Sequence, residues 1–173
     1  MPVFVSGLPL HVLVVHAVVV LVPLAVLACT AVALWPAARR RHGWLAVGLT
    51  AAATVSVPLA MGSGDDLKDR LVPTDLISEH AHLGDQLLVF VAALLALVVA
   101  LVVFDRRKTA RATLADTGSA PSRGHRVVVI ALAVLTVGFA ATSAVQVVRI
   151  GDSGARAAWA DQHYVAPPSH GQG

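Results

Sequence analysis

Four long apolar runs constrain this chain more than any other feature of its sequence. They cover approximately 8–35, 44–61, 86–104 and 127–148. Each approaches the ~20 residues that an α-helix needs to cross the hydrocarbon core of a bilayer. A backbone in lipid must satisfy its own hydrogen bonds, and these runs lack the alternation typical of a membrane barrel. They therefore predict an all-α integral membrane protein, a four-helix bundle whose surroundings are the lipid bilayer.

Composition supports a single membrane domain. Apolar residues make up 57% of the chain and charged residues 13%, which is outside the range of ordinary soluble domains. The 173 residues leave room for one bundle, residues 1–173, in which 151–173 form a C-terminal tail after the last span. No internal repeat is evident. The net charge of +3 is divided among the connections, so we expect no nucleic-acid partner.

The distribution of basic residues predicts the orientation. Three of the 13 Lys and Arg residues lie between the first two runs and six between the last two: Arg39, Arg40, Arg41, Arg106, Arg107, Lys108, Arg111, Arg123 and Arg126. Connections rich in Lys and Arg stay in the cytoplasm. We therefore expect a multi-pass protein of the plasma membrane with both termini, including the tail, outside the cytoplasm.

Polar residues from all four runs fall in one layer. Counting ~20 residues from each cytoplasmic end brings His16, Met61, His82 and Gln146 to the external edge of the membrane. Six further polar residues lie near that layer: His11, Glu79, His80, Asp85, Arg149 and Asp152. Polar stripes in membrane helices usually face the bundle interior or a wet cavity. The sequence therefore predicts a polar site at the external rim.

Histidines make a cofactor one interpretation of this rim. Neutral imidazole binds haem iron, copper or zinc, and helical bundles build such sites from facing helices. His16 and His82 are the favoured pair of ligands for haem b or a transition metal, with His11 and His80 as alternative metal ligands. No HExxH or CxxCH motif supports the assignment.

A plainer interpretation treats the same residues as structural. A His or Gln at a membrane edge is commonly hydrated or hydrogen-bonded to a neighbouring helix. Met61 would then pack in the core, and Arg149 would pair with Asp152 or Glu79. Asp85 would cap the third helix, where a carboxylate suits the helix dipole.

Three classes of function follow from these interpretations. The first is a small haem-binding or metal-binding redox module that exchanges electrons at the external face. The second is a cofactor-free structural or accessory subunit that packs against a larger membrane complex or against copies of itself. A transporter or channel is the third, but no ionisable residue lies near the middle of a span. No catalytic motif is present, so we do not expect an enzyme acting on its own.

Short motifs near the spans resemble those of a known family. They are Gly7-Leu8-Pro9-Leu10-His11 with His16 beyond it, His82, and Gly151-Asp152-Ser153-Gly154-Ala155-Arg156. In these motifs the chain is similar to the bacterial membrane proteins catalogued as domain of unknown function 2231. It departs from their pattern at Val12, Ala17, Val18 and Asp152, where the family typically has histidine at the last position. The resemblance implies a four-span architecture and a role for His11, His16 and His82.

Overall fold

Four long α-helices dominate the computed structural model, which describes residues 4–5, 7–114 and 123–160. They are α1 (Leu10–Leu34), α2 (Pro36–Lys68), α3 (Asp75–Leu114) and α4 (Arg123–Trp159). Each is long and apolar enough to cross a membrane, which confirms the predicted all-α fold with four spans. Ahead of α1, the two-residue strands β1 (Phe4–Val5) and β2 (Leu8–Pro9) pair antiparallel, and Gly7 in the turn has a φ of 82° that favours glycine.

The helices α2 and α3 begin earlier than the apolar runs predict. Only Trp35 separates α1 from α2, because the residue before a proline disfavours the helical conformation while Pro36 suits the first helical position. The hydroxyl of Thr74 accepts a hydrogen bond from the Ile77 amide at 3.3 Å, so α3 begins at Asp75. Asp85 therefore lies inside α3, and the prediction that it caps the helix is wrong.

The last helix continues into the predicted tail. Although the apolar run ends near residue 148, α4 passes through Gly151 and ends at Trp159. The first part of the tail is thus an extension of the spanning helix, and residues 161–173 lie outside the described residues. Pro23 and Pro58 are accommodated within α1 and α2.

Packing arranges the helices as two hairpins. α1 packs mainly on α2 and α3 mainly on α4, while α2–α3 and α1–α4 contacts close the ring and leave α1 diagonal to α3. Two clusters of small and branched residues fill the centre. One contains Val18, Val22, Ala25, Ala53, Val57, Ala60, Leu87 and Val91, and the other contains Cys29, Val32, Ala46, Leu94, Val98, Val102 and Ala140. Large apolar side chains on all four helices remain exposed, as lipid contact requires.

One end of the bundle is closed by a buried arginine, and we call it the arginine end. Arg39 lies in the second turn of α2 and was expected in a loop. Its Nη1 donates to the carbonyls of Val32 and Ala33 at the end of α1, at 3.2 and 3.4 Å. Its Nη2 donates to Asp105 of α3 at 3.3 Å, with both side chains largely buried. The residue therefore joins three helices.

Candidate functional site

At the opposite end of the bundle, the diagonal helices bring two histidines together. His11 lies in the first turn of α1 and His80 in the second turn of α3, and their ring centroids are 6.3 Å apart with an 86° angle between the planes. Both rings are half-buried. We call this the histidine end, defined by His11 and His80 together with Ser63 and Ser153.

The surroundings of His11 fix which ring nitrogen carries the proton. Its Nδ1 lies 3.0 Å from the carbonyl oxygen of Ala60 and 3.4 Å from the Ser63 hydroxyl. A carbonyl only accepts, so Nδ1 must carry the hydrogen. The Ser63 hydroxyl donates to the same carbonyl at 2.9 Å and braces the arrangement. In the neutral ring, Nε2 is consequently unprotonated.

His80 is fixed in the same way by α4. Its Nδ1 lies 3.0 Å from the Ser153 hydroxyl, which donates its single hydrogen to the Ile150 carbonyl at 3.0 Å. When the hydroxyl donates in this way, it can only accept from the imidazole, and Nδ1 of His80 then carries the hydrogen. In that arrangement both neutral rings of the pair have an unprotonated Nε2.

Two glycines let the second helix of each hairpin approach its histidine. A Cβ on Gly64 would lie 3.0 Å from Cε1 of His11, and a Cβ on Gly154 would lie 2.9 Å from Cε1 of His80. Each hairpin therefore supplies the same parts: a histidine on its first helix and a Ser-Gly pair on its second. In both, the serine hydroxyl bonds the carbonyl three residues earlier.

This arrangement suits the binding of a metal ion by the second ring nitrogen of each histidine. Histidine ligands of metals commonly donate the second ring N–H to a carbonyl or another fixed acceptor, which orients the ring and makes the ligating nitrogen more basic. Both Nδ1 atoms meet that condition. The contacts of the rings with Ala60, Ser63 and Ser153 are all made through Nδ1. The described residues contain no cluster of three or more His, Cys, Asp or Glu side chains that could hold a metal.

The histidines favoured from the sequence lie elsewhere on the bundle surface. His16 is exposed, and its Nδ1 donates to the Val12 carbonyl of its own helix at 2.6 Å. His82 is also exposed and contacts Gln86 one turn further along α3. The structure therefore brings together the alternative ligands His11 and His80, whereas His16 and His82 each bond within their own helix.

Gln146 anchors a separate polar network beside this pair. It is 3% exposed, and its Nε2 donates to the Leu83 carbonyl at 3.0 Å and to Oε1 of Gln86 at 3.1 Å. Because Oε1 of Gln86 accepts from Gln146, the amide nitrogen of Gln86 faces Nε2 of His82, at 3.0 Å. Every link of the network joins α3 to itself or to α4, so its evident role is to hold those two helices together.

The other residues predicted at the rim are spread over its surface. Met61 packs against the apolar cluster nearest the histidine end, in keeping with the structural interpretation. Glu79, Asp85 and Arg149 are exposed. Asp152 is exposed as well and pairs with Arg156 one turn along α4, so it is not the partner of Arg149 that the sequence suggested.

Sequence reasoning missed the four residues that hold the histidines. Ser63, Gly64, Ser153 and Gly154 lie where α2 and α4 continue beyond their apolar runs, in stretches that look like polar connections. The signal that could have found them is the Ser-Gly dipeptide that follows both the second and the fourth run. A two-residue match is too short to register as an internal repeat.

Comparison with known proteins gives a family and no close relative. A family model described as a predicted membrane protein, DUF2231, matches residues 7–167. The match includes both histidines of the pair and both Ser-Gly dipeptides. No curated protein and no solved structure matches the chain.

Proposed function

The chain belongs to the DUF2231 family of predicted membrane proteins, and on that premise we propose that it binds a transition-metal centre between His11 and His80. The observation that carries the proposal is the pair of imidazoles, one from each hairpin, that hydrogen-bond through Nδ1 and have ring centroids 6.3 Å apart. Metal–imidazole bonds of about 2 Å on both sides, plus the distance from each nitrogen to its ring centre, span about 6 Å. The observed separation of the ring centroids therefore matches that of two imidazoles bound to one metal atom.

The shared chemistry admits two sources of the metal. A free ion would take both imidazoles as ligands, and the iron of haem b would take them as its two axial ligands. Either would give this family member a metal site at one end of a membrane bundle, where an electron partner in the adjacent solvent could reach it. The redox role expected from the sequence thus moves from His16 and His82 to His11 and His80.

The proposed side of the membrane follows from the charges. The histidine end lies opposite the connection that carries Arg40 and Arg41, which the distribution of basic residues places in the cytoplasm. We therefore propose that the site faces the outside of the plasma membrane. Fusions of a cytoplasmic reporter and an export-dependent reporter after Arg70 should give signal only from the exported one; signal from the cytoplasmic reporter alone would reverse the orientation.

The test of the site is spectroscopy with metal analysis on gently purified protein. Visible spectra of the oxidised and dithionite-reduced protein detect haem, and metal analysis on the same sample detects a bound ion. His11→Ala and His80→Ala should each abolish the signal, while His16→Ala and His82→Ala serve as matched controls and should leave it unchanged. A colourless, metal-free protein that takes up neither haem nor metal ions would favour the cofactor-free accessory subunit.

A further inference from the structure

We propose that the metal is copper(I), held in two-coordinate geometry by Nε2 of His11 and Nε2 of His80. This inference rests on the metal site proposed above and selects the ion. It follows from the number of ligands, their charge and their spacing.

The number of ligands separates the candidate ions. Structural zinc takes four protein ligands, and catalytic zinc takes three plus water. Within the described residues the site offers two nitrogens, and no third His, Cys, Asp or Glu joins them in a metal-binding group. The serine hydroxyls are already engaged, since Ser63 and Ser153 bond both a backbone carbonyl and an Nδ1. Copper(I) has a filled d shell and is satisfied by two ligands on opposite sides.

The charge of the site favours a monovalent ion. Both imidazoles are neutral ligands, and the nearby carboxylates of Glu79 and Asp152 are exposed, the latter already paired with Arg156. The cost of moving an ion from water into a low-dielectric site grows with the square of its charge. A divalent ion therefore pays about four times the cost of a monovalent one of equal size.

The spacing suits a bare ion. The 6.3 Å between ring centroids matches the separation of two imidazoles bound to one metal atom, and the 86° between ring planes does not matter, because a linear N–Cu–N unit leaves each ring free to rotate about its bond. Haem would require its macrocycle to enter between rings that α2 and α4 already contact through Gly64 and Gly154.

The experiment is an anaerobic titration of the full-length, detergent-purified protein with copper(I) in competition with a chromophoric copper(I) chelator. Parallel titrations use zinc(II) and hemin. We expect one copper(I) per chain, bound more tightly than zinc(II), with affinity reduced about 100-fold or more by either His11→Ala or His80→Ala. His16→Ala and His82→Ala should retain the affinity. X-ray absorption should show two nitrogen neighbours and no sulfur.

The outcomes separate this inference from the proposed function. Zinc(II) or haem bound through His11 and His80, in preference to copper(I), would leave the metal site intact and overturn the choice of ion. Copper(I) with three or more neighbours, or with a sulfur from Met61, would overturn the two-coordinate geometry. If folded protein binds none of the three ligands, both proposals are overturned. The lack of binding would appear as a melting temperature that copper(I), zinc(II) and hemin all leave unchanged.

Discussion

The two ends of the bundle use buried polar groups in opposite ways. At the arginine end, the two terminal nitrogens of the Arg39 guanidinium bond two carbonyls of α1 and Asp105 of α3. Its Nε is the one buried side-chain nitrogen or oxygen in the described residues without a partner. At the histidine end, the protein binds one nitrogen of each ring and leaves the other open.

This difference separates a structural role from a ligand-binding role. Arg39 contacts α1 and α3 directly, so its hydrogen bonds contribute to the stability of the fold. The bonds to Nδ1 of His11 and His80 orient the two rings without engaging their Nε2 atoms. The Nε2 atoms are not among the buried unpartnered atoms, so they remain accessible to a ligand from outside the chain. The two ends should therefore respond differently to substitution.

The largest expected effect is at the arginine end. Arg39→Ala removes a buried ion pair and the bonds to the end of α1, and should lower the free energy of unfolding by about 3–5 kcal/mol. Copper(I) affinity of the protein that remains folded should stay within about 2-fold of wild type, because the site lies at the far end. Unfolding in mixed micelles, followed by circular dichroism, measures the first quantity and chelator competition the second.

Arg41→Ala is the matched control for Arg39→Ala. It removes the same charge from the same helix, but Arg41 is exposed, so its loss should change stability by less than about 0.5 kcal/mol. Equal losses of stability for both substitutions would show that net charge in this segment, not the buried contacts of Arg39, stabilises the fold.

The glycines give the next largest effect and compare the two ends directly. Gly64→Ala and Gly154→Ala place a Cβ against the histidine rings and should reduce copper(I) affinity about 10–100-fold by displacing them. Gly43→Ala places a Cβ 2.9 Å from Cγ2 of Val102 near the arginine end. It should cost about 1–3 kcal/mol of stability through overpacking and leave copper(I) affinity unchanged.

Two further glycines provide controls within the same helices. Gly62 in α2 and Gly151 in α4 have open space where a Cβ would be added. Alanine at either position should keep the affinity and should stabilise the helix by up to about 1 kcal/mol. If Gly62→Ala weakened copper(I) binding as much as Gly64→Ala, the effect would come from a general change in α2 and not from contact with His11.

The contrast between the ends also explains what the sequence could predict. The four spans were predictable because lipid demands long apolar runs, and their lengths are visible without any knowledge of packing. The pairing of His11 with His80 was not, because it depends on where α3 begins. With α3 started near residue 86, His80 falls in a loop; starting it at Asp75 turns His80 inward and His82 outward. The helix start depends on Thr74, a cap that hydropathy does not detect.

Arg39 shows the same limit at the other end. In the sequence it is one of three consecutive arginines, which the distribution of charge assigns to a cytoplasmic connection. The structure separates them, because only Trp35 lies between α1 and α2, and the helical turn directs Arg39 inward while Arg40 and Arg41 stay exposed. The position of Arg39 around the helix axis distinguishes it from Arg40 and Arg41. That position is known only once the start of the helix is known.

A smaller effect should distinguish the two serines. Ser153→Ala removes the 3.0 Å bond of Nδ1 in His80 and leaves the interaction of His80 with the Ile150 backbone, whereas after Ser63→Ala the Ala60 carbonyl still accepts from His11 at 3.0 Å. We expect copper(I) affinity to fall about 10-fold for Ser153→Ala and less than about 3-fold for Ser63→Ala. Threonine at position 153 keeps the hydroxyl and should restore most of the affinity. Equal losses at both serines would mean that the Ala60 carbonyl does not orient His11.

The smallest effect is expected from Gln146, which is buried at the level of the histidine end but takes no part in the pair. Gln146→Leu removes the bonds to the Leu83 carbonyl and to Gln86, and interhelical bonds of this kind contribute about 0.6–1.7 kcal/mol in membranes. Stability should fall within that range while copper(I) affinity stays constant, because Gln146 connects to His82 and not to His80. An affinity loss as large as that of Ser153→Ala would instead show that the packing of α3 on α4 positions His80. Residues buried near the site would then orient the ligands without contacting Nδ1.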